Sequence, residues 1–170
     1  MKMELVHTFP VSRDTYEQNI NNPVLLKMCE GRLPYLKSRE LVQVIDLSPE
    51  KRKWRFRVEA DYKMPEAAKR VIGDKLGWFE ESTFDRKEHR IDFEVLPDFF
   101  KGRYRCGGEQ LFVDTGPASF DRVMTVEIEV GILLVGRMVE SHILDRLKET
   151  YAVEYEVQKE FFSKLQAGEA

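Results

Sequence analysis

The sequence predicts an α+β fold: a curved antiparallel sheet wrapped around one long C-terminal helix, with two short helices after the first strand. Two observations carry this. From Gly131 onward, Val139, Ile143, Leu147, Thr150, Val157, Phe161 and Leu165 recur at three-, four- and seven-residue steps, the stripe that an amphipathic helix buries. Most of the chain before Gly131 instead alternates apolar with polar residues, the period of half-buried strands. At 1.5 Å per residue the helix is roughly 50 Å long, more than one sheet edge needs. Its stripe is therefore expected to cross the concave face of the sheet, an arrangement that leaves room for a cavity. Segregation of strands from helices gives the α+β class.

Each element has its own signal. Met3, Leu5, His7 and Phe9 alternate with polar neighbours until Pro10 ends the strand. Ser12 is placed to cap a short helix that carries Asp14 and Glu17 near its positive end and buries Tyr16 with Ile20. Asn22-Pro23 then predicts an N-cap and first turn, running through Leu25, Leu26 and Met28 towards Gly31. Strands are expected at Leu41–Leu47 and Trp54–Tyr62, joined at Ser48-Pro49-Glu50. Pro65 to Ile72 reads as a short helical insertion before Gly73, suited to a gate between strands. Further strands follow over Leu76–Phe84, Ile91–Leu96 and Tyr104–Val113, where Gly107-Gly108 suggests a bulge or a bend of the curved sheet. Met124, Val126, Ile128 and Val130 mark the last strand before the helix.

Composition excludes several classes. With 170 residues, 42% hydrophobic and 34% charged, the chain is sized for one compact domain, residues 1–170, with a sizeable core. Its longest apolar run, Ile132 to Val135, falls far short of a membrane span of roughly 20 residues. The N-terminal alternation is not a signal peptide, so a cytoplasmic protein is expected. A net charge of −3 argues against a nucleic-acid binder. Cys29 and Cys106 are far apart with no ligand spacing, and reduced thiols are the default.

No residue set specifies a reaction, and no catalytic residue, metal or cofactor is expected. Trp54, Phe56 and Tyr62, with Phe93 and Met124, could line a pocket or form an ordinary core. His7, His89 and His142 match no metal motif; His142 stands beside the helical stripe, within reach of a ligand or a strand carbonyl. Glu80-Glu81 and Glu109 would supply acid or base groups only if turned inward. Lys51-Arg52-Lys53 with Arg55 and Arg57, and Lys101, Arg103 and Arg105, read as solvated charge or as docking points on an anionic membrane. Aromatic residues in the first cluster alternate to the opposite face, where they cannot stack bases beside those cations.

The stretches MKMELVHTFPVSRDTYEQNINNP, YKMPEAAKRVIGDKLGWFEESTFDRKEHRIDFEVLP and VGILLVGRMVESHIL, in this order, resemble the helix-grip fold of the START/SRPBCC superfamily. Within it they are similar to PRELI-like phospholipid-transfer domains and allied START-like proteins. The resemblance implies a hydrophobic cavity between sheet and C-terminal helix, gated over Met64–Gly73, with Lys69 handling a lipid phosphate. Expected walls are Trp54, Phe56, Val58 and Tyr62; Val71 and Ile72; Phe93 and Val95; Met124, Val126 and Ile128; and Val139, His142, Ile143 and Leu147. Binding or transfer of a hydrophobic small molecule, above all a lipid, follows, with transient contact with an anionic membrane. A cyclase or hydratase on a hydrophobic substrate, and a protein-interaction module with a collapsed cavity, stay open as alternatives.

Overall fold

The computed structural model describes residues 1–61, 76–98 and 102–169. In chain order the elements are β1 (Lys2–Phe9), α1 (Arg13–Gln18), α2 (Pro23–Cys29), β2 (Leu36–Asp46), β3 (Lys51–Ala60), β4 (Leu76–Asp85), β5 (Arg90–Pro97), β6 (Tyr104–Gly116), β7 (Ser119–Val130) and α3 (Gly136–Gln166). The seven strands form one antiparallel sheet in the order β1-β7-β6-β5-β4-β3-β2. Strands β2 to β7 follow one another as neighbours, and β1 completes the far edge beside β7. The proposed gate, Met64–Gly73, and with it Tyr62, Lys69, Val71 and Ile72, lies outside the described residues.

The local signals act as written. Ser12 Oγ accepts from Thr15 N–H at the start of α1, and Asn22 Oδ1 accepts from Val24 N–H at the start of α2, each meeting a helical donor that has no carbonyl partner. Alternation places Trp54, Phe56 and Val58 of β3 inward. The same period along β7 buries Phe120, Arg122, Met124, Val126, Ile128 and Val130.

Two boundaries differ from expectation. The long helix begins at Gly136, not Gly131, because the chain leaving β7 must reverse before it can cross the sheet. Residues 131–135 make that reversal, with Leu134 at a φ of +72°. The pair Gly107-Gly108 forms no bulge: β6 runs in unbroken register there, Gly107 opposite Glu127 and Gly108 opposite Val126. The register shift falls instead between Asp114 and Gly116, beside the hairpin turn. Glycine is needed for close approach. A Cβ on Gly108 would overlap the carbonyl oxygen of Thr125, and one on Gly107 would stand 2.7 Å from that of Phe93.

The core divides in two. One cluster joins Phe9, Tyr16, Phe56, Phe120, Val157, Phe161 and Phe162 with α2. The other joins Met3, Leu76, Cys106, Met124, Val126, Val130, Val139 and Leu144. The glycine contacts give a test: Gly108→Ala is expected to destabilise by about 3 kcal/mol, since backbone rather than a flexible side chain blocks the new methyl. Gly131→Ala, whose Cβ would meet Arg103 at an ordinary 3.6 Å, should stay within about 0.5 kcal/mol by urea denaturation.

Candidate ligand-binding site

Helix α3 is fastened to the sheet at both ends. Near its C-terminus Val157, Phe161 and Phe162 are buried, with the Phe162 ring centroid 5.3 Å from Tyr16 and 6.4 Å from Phe9. Near its N-terminus Val139 and Leu144 are buried, and Glu140 accepts from Val130 N–H at 2.9 Å and pairs with the Met1 amine at 3.2 Å. The Val130 hydrogen bond is the main cause holding the Glu140 carboxyl below its ordinary value. Between these fastenings, from Asp145 to Glu156, no residue is fully buried. A cavity of about 150 Å³ lies beneath.

Its apolar wall includes Phe93, Val95, Val126, Ile143 and Leu147; its polar groups include Arg39, Glu80, Tyr151 and Glu154. The Arg39 guanidinium lies 3.8 Å from the Phe56 ring centroid and donates to Glu80 Oε2 at 3.0 Å. Glu80 Oε1 also accepts from Trp78 Nε1 at 3.2 Å. Tyr151 makes no hydrogen bond among the described residues, and burial, with Glu80 and Glu154 nearby, pushes its hydroxyl well above the ordinary phenol value. It is a neutral donor offered to the cavity. Burial likewise raises the Cys106 thiol to about 11, which leaves it protonated and unreactive.

Beside this wall lies a buried cation. Arg122, 2% exposed, donates to Gln158 Oε1 at 3.0 Å, to Tyr16 Oη at 3.2 Å and to His7 Nδ1 at 2.9 Å, and stands 4.0 Å from Glu154. His7 stacks on Tyr155 with ring centroids 4.5 Å apart. Burial, then the Arg122 charge, lowers the His7 value to about 4, so the ring is neutral and its Nδ1 accepts.

Of the residues expected to line a pocket, Phe93, Val95, Val126, Ile143 and Leu147 come together on the cavity wall. Trp54 and Phe56 are buried beside a smaller cavity of about 70 Å³ that shares Arg39 and Glu154 with the first, whereas Val58, Met124, Ile128 and Val139 stand in the packed core. His142 is half-buried on α3 and is not part of the wall. Of the acid–base candidates, Glu80 faces the cavity, whereas its neighbour Glu81 turns outward to Lys53 at 2.5 Å and Arg55 at 3.4 Å. The inward polar groups Arg39, Arg122, Tyr151 and Glu154 were not anticipated. Strand parity with Leu41 and with Met124 would have found the two arginines. The basic turn is already matched: Lys51 pairs with Asp85 at 3.0 Å and Arg52 with Asp46 at 2.6 Å.

A seven-stranded antiparallel sheet gripping a long C-terminal helix is the helix-grip fold. The chain belongs to the family described as "Protein of unknown function (DUF2505)", which it matches over residues 4–161. A protein from Thermus thermophilus shares the fold with a TM-score of 0.69 at 19% identity, all of both chains being covered. Norcoclaurine synthase from Thalictrum flavum, solved with dopamine and hydroxybenzaldehyde, gives 0.62 at 14% identity over 94% of this chain and 87% of that one. A START superfamily protein from Mycobacterium smegmatis gives 0.60 at 13% identity over 96% and 98%. These likenesses show the fold alone. No curated protein sequence matches the chain. Among the described residues no helix is long and apolar enough to cross a membrane.

The His7 environment predicts a pH dependence. Its folded value of about 4 lies below the ordinary 6.5, so between these values the unfolded chain binds the extra proton. Its contribution to stability is complete above pH 6.5 and is lost as pH falls towards 4. His7→Gln, which keeps an acceptor for Arg122, should flatten this part of the profile of urea midpoint against pH.

Proposed function

We propose that the protein binds a compact hydrophobic or amphipathic molecule between the sheet and α3. Its apolar body rests on Phe93, Val95, Val126, Ile143 and Leu147, and its polar group meets Arg39, Tyr151 and Glu154. One observation carries this reading: the stretch of α3 without a buried residue lies over an apolar-walled space that also presents an unpaired hydroxyl. Such sites combine apolar walls with a few placed polar groups.

Volume narrows the ligand. A cavity of about 150 Å³ suits a single ring or a short chain segment. A lipid, the cargo that START resemblance implies, exceeds this volume. A collapsed interaction module is disfavoured by the same space. Binding without chemistry is favoured because Glu80 is held by two donors, and the Cys106 thiol and the Tyr151 phenol both stay protonated at neutral pH. The second reading is a cyclase- or hydratase-type enzyme in which Glu154 takes a proton and Tyr151 donates one, as both face the cavity.

Calorimetric titration with toluene, a single neutral ring, tests the site. Leu147→Trp, which fills it, should weaken binding by roughly tenfold or more, equivalent to about 1.4 kcal/mol of lost contact, with little change in melting temperature. Tyr151→Phe should weaken binding of 4-methylphenol by about fivefold and leave toluene unaffected. A parent protein that binds neither compound, or a Leu147→Trp variant that binds like the parent, removes the cavity as the site.

A further inference from the structure

Leu133 and Leu134, in the reversal between β7 and α3, are 88% and 96% exposed. They are the most exposed large apolar side chains among the described residues, and Met138, in the first turn of α3, adds a third at 44%. The fold does not require them. Leu134 occupies the left-handed region at a φ of +72°, a conformation that glycine or asparagine adopts at lower cost. A leucine held there, wholly in solvent, gains no packing in return. Two local rules are broken at one residue, which points to function rather than folding.

We infer that this loop is a membrane-docking tip: Leu133 and Leu134 enter the acyl boundary of an anionic bilayer while Arg103 and Arg137 meet its headgroups. Both arginines flank the loop that carries the leucines. Gly131 N–H donates to Arg103 O at 2.7 Å, and Arg137 follows Gly136 in the first turn of α3. Neither guanidinium has an ion pair or hydrogen bond among the described residues; Arg137 meets only the more distant charge of Glu140. The nearest acid on β7, Glu129, stands opposite Arg105 in the sheet. Two exposed apolar side chains in a loop flanked by two arginines complement a surface that is apolar within and anionic outside. A protein partner would need a far larger matching patch, about 800 Å² a side.

Topology separates this tip from the basic turn considered in the sequence. Val130 pairs with Tyr104, Leu76 with Ala60 and Leu36 with Ala60, so the tip shares its end of the sheet with the cavity residues Tyr104 and Leu36. Lys51 pairs with Asp85 at the opposite end, roughly 30 Å away along the ten residues of β3. Docking is thus assigned to the end where the cations are free, and away from the end where they are neutralised. This does not depend on what the cavity holds.

Co-sedimentation of the full chain with phosphatidylcholine vesicles, with and without phosphatidylglycerol, tests it. The parent should bind the anionic vesicles, less tightly at high salt. Leu133→Ser with Leu134→Ser should lose roughly tenfold or more per leucine, with an unchanged thermal melt because neither side chain is packed. Arg103→Gln with Arg137→Gln should lose about 25-fold, at about fivefold per basic residue, together with most of the salt dependence. Neutralising Lys51, Arg52 and Lys53 should change binding less than twofold. The inference is overturned if the parent stays in solution with both vesicle types, or if the leucine variant sediments like the parent. It is also overturned if light scattering shows a dimer that the leucine variant dissociates, which would give the tip to a second copy.

Discussion

The structure depends on how α3 is held: buried at both ends and only half-buried between them. Phe161 and Phe162 at one end, and Val139 and Leu144 at the other, bury apolar area against the sheet at about 25 cal/mol per Å². The intervening turns carry Arg146, Thr150, Tyr151 and Glu154 towards the same sheet. Arg146 and Thr150 find partners in Tyr35, Glu149 and the Pro34 carbonyl, but packing Tyr151 and Glu154 dry against Phe93 and Val126 would leave their polar atoms poorly satisfied, at roughly 1–3 kcal/mol each. A helix of 31 residues cannot bend sharply without a breaker, and α3 contains no proline. The gap is therefore a consequence of fastening a straight, part-polar helix at two points across a curved sheet.

Arg122 makes one of those fastenings specific. From β7 its guanidinium reaches Tyr16 on α1, Gln158 on α3 and His7 on β1, so a single cation ties four elements. Removing one partner from such a buried charge is costly, whereas the assembled set is nearly satisfied, with only Nε lacking a partner. Glu154 connects this network to the cavity, since it stands 4.0 Å from Arg122 and also raises the Arg39 value against the effect of burial. The polar side of the cavity is thus an extension of the scaffold. Its groups are positioned by the same contacts that seat the helix, which favours a site with fixed donors over a loose apolar void.

Much of the architecture was legible because it rests on period. Alternation along β3 and β7 and the Val139–Ile143–Leu147 stripe placed strands and helix correctly, and the caps at Ser12 and Asn22 behaved as their chemistry requires. Errors arose where long-range geometry overrides local pattern. Nothing local to Gly131–Val135 says that the chain must reverse there, and Gly107-Gly108 looks like a bulge unless the carbonyls of neighbouring strands are known. The site was legible only on its apolar side. Arg39 shares parity with Leu41, and Arg122 with Met124, yet a charged residue on a strand is ordinarily assigned to the wet face. Whether an inward side chain meets a void or a neighbour cannot be read from alternation either, which is why Phe93 reached the cavity and Val58 the packed core.

Native mass spectrometry of the protein purified from cells tests the central claim, that α3 and the sheet enclose a site for a compact amphipathic molecule. The account predicts that part of the intact protein carries a discrete added mass, lost on denaturation and restored by incubation with the extracted small molecule. The mass of the bare chain alone, both as purified and after incubation with small hydrophobic compounds, would contradict it.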